Sequence, residues 1–208
     1  MLNKQGFDLW ANDYDKTVQL SEESNTYPFA GYKKVLGTIF NEVMQTPGSN
    51  VLDIGFGTGI LTQKLYENGH HMDGIDFSAK MIEIARKKMP AANLIEFDFA
   101  MGLPVEVKGQ KYDYIISTYA LHHLTDERKL EFIKDLLPLL KVGAKVFIGD
   151  ISFQTRADLE ECKQESIAYW DDDEYYFVAD EFMHSLNGIV QCEYYSMSHC
   201  GGVFILSI

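Results

Sequence analysis

Val51-Leu52-Asp53-Ile54-Gly55-Phe56-Gly57-Thr58-Gly59 reads as a buried strand that runs into a glycine-rich turn. A helix is expected to open at about Ile60. Gly55 and Gly57 take backbone angles that other residues resist, and they let the main chain approach a ligand closely. The helix start offers unpaired N–H groups and a partial positive charge. At the carboxyl edge of a parallel sheet, such a turn is a nucleotide-cofactor site.

The flanking segments supply that sheet. Met72 to Asp76 reads as a second strand. Asp76 lies 21 residues past Gly55, where α/β nucleotide folds set an acid against ribose hydroxyls. Asn93 to Phe99 alternates as a third strand. Tyr112 to Thr118 is nearly unbroken apolar sequence, as in a central strand buried on both faces. Val146 to Asp150 is a fifth. Helical stripes separate them. One is Leu61, Leu65 and Tyr66, ended by Asn68-Gly69. Another is Met81, Ile82, Ile84, Ala85 and Met89, capped by Ser78. A third is Leu130, Ile133, Leu136, Leu137 and Leu140, opened by Thr125 and divided by Pro138. Pro104 to Lys111 reads as a polar connection. Upstream, Val35, Leu36, Ile39, Phe40 and Val43 form a further helix, and Phe7, Trp10, Ala11 and Tyr14 share one helical face.

The tail departs from this rhythm. Arg156 to Tyr169 and Ala179 to Leu186 read as helices. Trp170-Asp171-Asp172-Asp173-Glu174-Tyr175-Tyr176-Phe177 reads as a solvated acidic turn, with a substrate lid as the alternative that its aromatics keep open. Ile189 to Met197 and Gly202 to Ile208 flank Ser198-His199-Cys200-Gly201 as a hairpin.

A chain of 208 residues with 46% hydrophobic and 24% charged residues fits one globular domain. The formal net charge of −13 opposes a phosphate-tracking surface and suits a neutral or cationic small substrate, so no nucleic-acid partner is expected. Three cysteines without a C-x-x-C argue against a disulfide framework or zinc knuckle. No apolar run spans a bilayer, and Met1 to Gly6 lacks the apolar core of a signal peptide. The expectation is a cytoplasmic protein with no membrane partner, a monomer or homodimer.

The glycine spacing narrows the family. A dinucleotide fingerprint, G-x-G-x-x-G, needs glycine or alanine at position 60, where this chain has Ile60. The run G-x-G-x-G, with Asp53 two residues ahead, resembles the first motif of class I S-adenosylmethionine (SAM) methyltransferases. Phe7-Asp8-Leu9-Trp10-Ala11-Asn12-Asp13-Tyr14-Asp15 resembles the opening of many small-molecule members, where it forms part of a lid. Ala120-Leu121-His122-His123-Leu124 resembles their turn after the fourth strand, close to the methyl donor. Lys141-Val142-Gly143-Ala144-Lys145 stands where the family shows K-P-G-G, and Ala144 is a departure that touches turn geometry. The chain looks similar to the small bacterial YrrT-like group.

The resemblance implies an α/β fold: a Rossmann-like, doubly wound, mostly parallel seven-stranded sheet with a C-terminal antiparallel hairpin. It implies one domain over 1–208, with a helical lid (1–46), a SAM-binding core (47–150) and a closing part (151–208). Gly55 and Gly57 approach the methionine moiety, and Asp53 supports the loop and the amino group. Asp76, with Phe77 beside it, binds the ribose. Asp98 and the backbone N–H of Phe99 meet the adenine, and the carbonyl of Ser117 or Thr118 meets the ammonium. The product is S-adenosylhomocysteine.

Methyl transfer from a sulfonium needs alignment above all. Aromatic faces such as Tyr14 are expected to attract the cation, worth roughly 0.5–2 kcal/mol. His123 is the first candidate general base, since its unperturbed pKa lies near neutrality. Paired histidines also suggest metal, but a metal site needs further ligands and none stands nearby in sequence, so no metal is expected. Two other readings share the scaffold. One is an NAD-dependent oxidoreductase, opposed by Ile60 and the lack of a substrate domain. The other is a non-catalytic SAM-binding regulatory protein. No Asn/Asp-Pro-Pro-Tyr/Phe motif points to amino-group methylation of DNA or glutamine.

Overall fold

The computed structural model describes Ser21 and residues 25–208. The aromatic opening over 7–15, with Tyr14, lies outside the described residues. Five parallel strands carry the sheet: β1 (Asn50–Ile54), β2 (His71–Asp76), β3 (Asn93–Glu96), β4 (Tyr112–Thr118) and β5 (Leu140–Phe153). A hairpin of β7 (Gln191–Ser196) and β8 (Gly201–Ser207) closes one edge, with β8 antiparallel to both neighbours. The strand order is β3-β2-β1-β4-β5-β8-β7. The expected seven-stranded sheet is therefore present. A two-residue strand, β6 (Phe177–Val178), adds to the far end of β5.

Period-2 alternation sorts the core onto two faces. Leu52, Ile54, Ile115, Val146 and Ile148 pack on one side with Phe132 and Ile133. Val51, Ile116 and Phe147 pack on the other with Val35, Ile39 and Val43. The helices are α1 (Tyr32–Val43), α2 (Ile60–Glu67), α3 (Ala79–Lys88), α4 (Val105–Lys108), α5 (Asp126–Leu136), α6 (Arg156–Glu165) and α7 (Ala179–Ser185). Side-chain caps start several of them. Ser78 accepts from Met81 N–H, Thr125 accepts from Arg128 N–H, and Thr155 forms a capping box with Asp158.

α1 lies so close to β5 that only glycine fits between them. A Cβ on Gly149 would sit 2.4 Å from Val35 Cγ1 and 3.0 Å from Ile39 Cδ1. Gly149→Ala is expected to cost about 2 kcal/mol through overpacking, read from urea unfolding.

Three boundaries differ from expectation. β5 runs from Leu140, not Val146, because Val142 and exposed neighbours bulge out between paired residues: Leu140 faces Tyr112 and Lys145 faces Tyr114. β3 stops at Glu96, because the Asp98 side chain turns to accept from Ala100 N–H at 2.9 Å and caps a short 3-10 turn. The Pro104–Lys111 connection holds the one-turn helix α4.

The order reverses between β1 and β4, both parallel, so a crevice opens at their carboxyl ends. The glycine turn follows β1 there, and Tyr119 to Leu124 follow β4.

Candidate active site

The glycine turn is held by its neighbours. Gly55, at φ 70°, donates to Ile75 C=O at 2.7 Å, and Gly57 N–H donates to Asp76 Oδ2 at 2.8 Å. Asp76 Oδ1 accepts from Ser78 N–H at 2.9 Å. One carboxylate thus links the ends of β1 and β2 to the start of α3. Phe97 N–H donates to Asp76 C=O at 2.8 Å, which places Asp98 one residue beyond, at the exposed end of β3. Phe77 is half-buried beside Asp76. The Phe99 side chain is core, with its ring 5.9 Å from that of Phe132.

A crevice of about 30 Å³ lies at the turn, lined by Tyr32, Asp53, Gly55, Gly57, Thr118 and Tyr119 among others. Asp98 does not line it. Ser117 does not either: its hydroxyl donates to Ile54 C=O at 2.9 Å inside the sheet, and Thr118 takes the lining position. Alternation along β4 sets these two side chains on opposite faces.

Asp53 is fully buried. Thr62 Oγ1 donates to its Oδ2 at 2.7 Å, while Oδ1 has no partner. Burial, partly offset by Thr62, pushes its pKa up to about 7. An unpartnered carboxylate oxygen beside this crevice suits a ligand ammonium group. The sign of the linkage follows. A folded pKa raised above the unfolded value means stability falls as pH climbs from about 4 through about 7. Asp53→Asn is expected to stabilise the ligand-free protein by about 1–2 kcal/mol at pH 8, with little gain at pH 4, in thermal melts at both values.

The second half of the site follows β4. Tyr119 holds a left-handed φ of 51°, rare for a bulky residue, and its N–H donates to Gly149 C=O at 2.8 Å. A Cβ on Gly55 would meet Ala120 Cβ at 2.4 Å, so this turn lies directly on the glycine turn. His122 and His123 come next, ring centroids 4.2 Å apart. His122 Nδ1 donates to Asp150 Oδ1 at 2.6 Å. Asp150 is fully buried at β5 and also accepts from the N–H groups of Leu121, His122 and Ile151. Burial disfavours the charged imidazole, but the Asp150 carboxylate outweighs it and raises the His122 pKa.

His123 behaves oppositely. Burial, then the neighbouring His122, pushes its pKa down to about 2. A group held so low is a poor proton acceptor near neutrality, which weakens the general-base expectation for His123.

The acidic-aromatic stretch is not a solvated turn throughout. Asp172 and Asp173 are exposed, but Tyr176 and Phe177 are buried. Glu174 Oε1 lies 3.6 Å from His122 Nε2 and 3.7 Å from His123 Nδ1. Tyr176 hydroxyl donates to Glu174 Oε2 at 2.7 Å and also pairs with Tyr27 hydroxyl. Trp170 stacks on Tyr27 at 5.1 Å. Buried Lys129 fastens the segment: its ammonium donates to Tyr175 C=O and Asp126 Oδ1, 4.3 Å from the centroid of the Phe177 ring. Among the described residues the third ligand-type side chain beside the histidines is thus Glu174. Sequence spacing missed it because it lies about fifty positions downstream, on another element. The two-residue β6 carried no strand signal either.

Comparison with known proteins identifies the family and the fold. Residues 51–143 match a family model described as a methyltransferase domain. An uncharacterised methyltransferase of Anoxybacillus flavithermus is 36% identical over 185 residues, spanning 86% of this chain and 84% of that protein. One from Geobacillus sp. (strain WCH70) is 38% identical over 181 residues, spanning 84% and 82%. The solved DhpI–SAM–HEP complex shares the fold, with a TM-score of 0.69 at 17% identity, over 97% of this chain and 94% of that one. No described helix is long and apolar enough to cross a membrane.

Proposed function

The chain belongs to the class I S-adenosylmethionine-dependent methyltransferases, and we propose that it methylates a small molecule taken at the face formed by His122, His123 and Glu174. The carrying observation is the enclosure of that face. His123 and Glu174 side chains are 20% and 17% exposed, and the buried Tyr176 holds Glu174 through its hydroxyl and lies 6.2 Å from the His122 ring. Such a recess favours a compact acceptor over a protein side chain on a folded surface or a base in a nucleic acid. The net charge of −13 also opposes a polyanion.

The unpartnered Asp53 oxygen and the open space over Gly57, where a Cβ would meet nothing within 4 Å, support a ligand at the glycine turn. Asp53 takes the ammonium there. Gly55 and Gly57 lie along the methionine portion. Asp76, held at the end of β2 by its bonds from the Gly57 and Ser78 N–H groups, meets the ribose. Asp98 and the N–H of Phe99 face the adenine, with Phe77 against the same nucleoside. Of the two expected carbonyls, Ser117 and Thr118, that of Thr118 is favoured as the second partner of the ammonium because Thr118 lines the crevice. The bound sulfonium supplies an activated methyl group. The chain's own task is placement: the turn after β4 sets the acceptor wall against the donor crevice, a contribution worth up to ~7–11 kcal/mol in favourable models. Residues 1–208 serve as one domain in this reading.

Incubation with a metabolite extract and isotopically labelled SAM tests the acceptor class. Label is expected in one low-mass product by mass spectrometry. Label confined to protein or nucleic acid would overturn the small-molecule reading, and SAM binding with no labelled product would point to a regulatory protein.

A further inference from the structure

We propose that His122, His123 and Glu174 bind one divalent transition-metal ion of the zinc type, which holds the acceptor heteroatom. This rests on the methyl-transfer reading and deepens it. His122 Nε2, His123 Nδ1 and a Glu174 oxygen lie within 4.8 Å of one another. Both nitrogens face the same oxygen, at 3.6 and 3.7 Å. Ligand atoms on a tetrahedral shell with ~2.0 Å bonds are ~3.3 Å apart, so small side-chain rotations close the set on an ion.

Two supporting contacts distinguish it from a chance cluster. Asp150 accepts the Nδ1 proton of His122 at 2.6 Å, which fixes the tautomer whose Nε2 lone pair faces Glu174. Tyr176 hydroxyl binds the far oxygen of Glu174 at 2.7 Å and turns the near one to the imidazoles. Each of these two ligand side chains therefore has an outer partner that orients it. Two imidazoles with one carboxylate select a zinc-type ion, whereas magnesium and calcium prefer all-oxygen shells. Three protein ligands leave a position open. The set also begins two residues after Ala120, which abuts Gly55.

A hydroxyl or thiol acceptor in the open position loses its proton to solvent more readily. Its heteroatom then forms a bond to the methyl carbon, while the carbon–sulfur bond of the donor breaks and its electron pair returns to sulfur. No base at His123 is needed.

Chelator-stripped full-length protein is titrated with Zn²⁺ alone against a chromophoric competitor. One ion per chain is expected, weakened about tenfold or more by Glu174→Gln. His123→Asn reads the same loss should Glu174→Gln disturb folding. Zinc affinity unchanged from the unsubstituted protein in both variants, zinc lost on replacing the three cysteines by serine, or Mg²⁺ held more tightly than Zn²⁺ would overturn the proposal. SAM binding is measured separately by calorimetry on stripped protein. Zinc bound with no SAM binding sinks the methyl-transfer reading alone; SAM bound with no zinc sinks the metal site alone.

Discussion

Asp150→Ala lowers the free energy of unfolding by about 3–5 kcal/mol in urea titrations at pH 6. The carboxylate is fully buried and accepts from three backbone N–H groups and the His122 ring. Alanine leaves those donors in a site closed to water, and each unsatisfied buried group costs about 1–3 kcal/mol. The His122 pKa is raised, chiefly by Asp150 working against burial. The ion pair is therefore fully present below the imidazole's ordinary pKa and is lost as pH rises through the raised value. The deficit of the alanine variant is expected to be larger at pH 6 than at pH 9. A deficit independent of pH would mean that His122 stays neutral in the fold. Asp150→Asn, which keeps an acceptor, should lose less.

Asp76→Ala raises the dissociation constant for SAM about 100-fold by calorimetry. The estimate combines one or two charge-assisted hydrogen bonds to the ribose, each ~1.5–3 kcal/mol, with a loosened glycine turn, since Gly57 N–H loses its acceptor. Asp76→Asn keeps one acceptor and is expected to lose about tenfold. An unchanged constant in the alanine variant removes the ribose assignment.

The glycine-turn half of the candidate site was legible in the sequence because it is local. A strand, a glycine turn and a helix follow one another over Val51 to Ile60, and the next acid ends the adjacent strand at Asp76. Alternation and caps such as Ser78 reported the same elements. The histidine half was not legible, because it is assembled from distant parts. Asp150 on β5 meets His122 after β4, and Glu174 arrives from beyond α6. Its charged neighbours Asp171 to Asp173 disguised the segment as solvated. Lys129 read as polar helix surface, yet it is buried at 1% exposure because Asp126 and the Tyr175 carbonyl satisfy it. Ser117 and Thr118 differ only in the side of the sheet they face, which a motif alone does not resolve.

The anchoring of the Trp170–Val178 segment has an evolutionary corollary. It joins the sheet through Ser152 and Phe177 at the far end of β5 and through Lys129, and none of the cofactor crevice is built from it. If the Glu174 face takes the acceptor as proposed, drift in this segment would change which molecule is admitted without touching the contacts of the glycine turn.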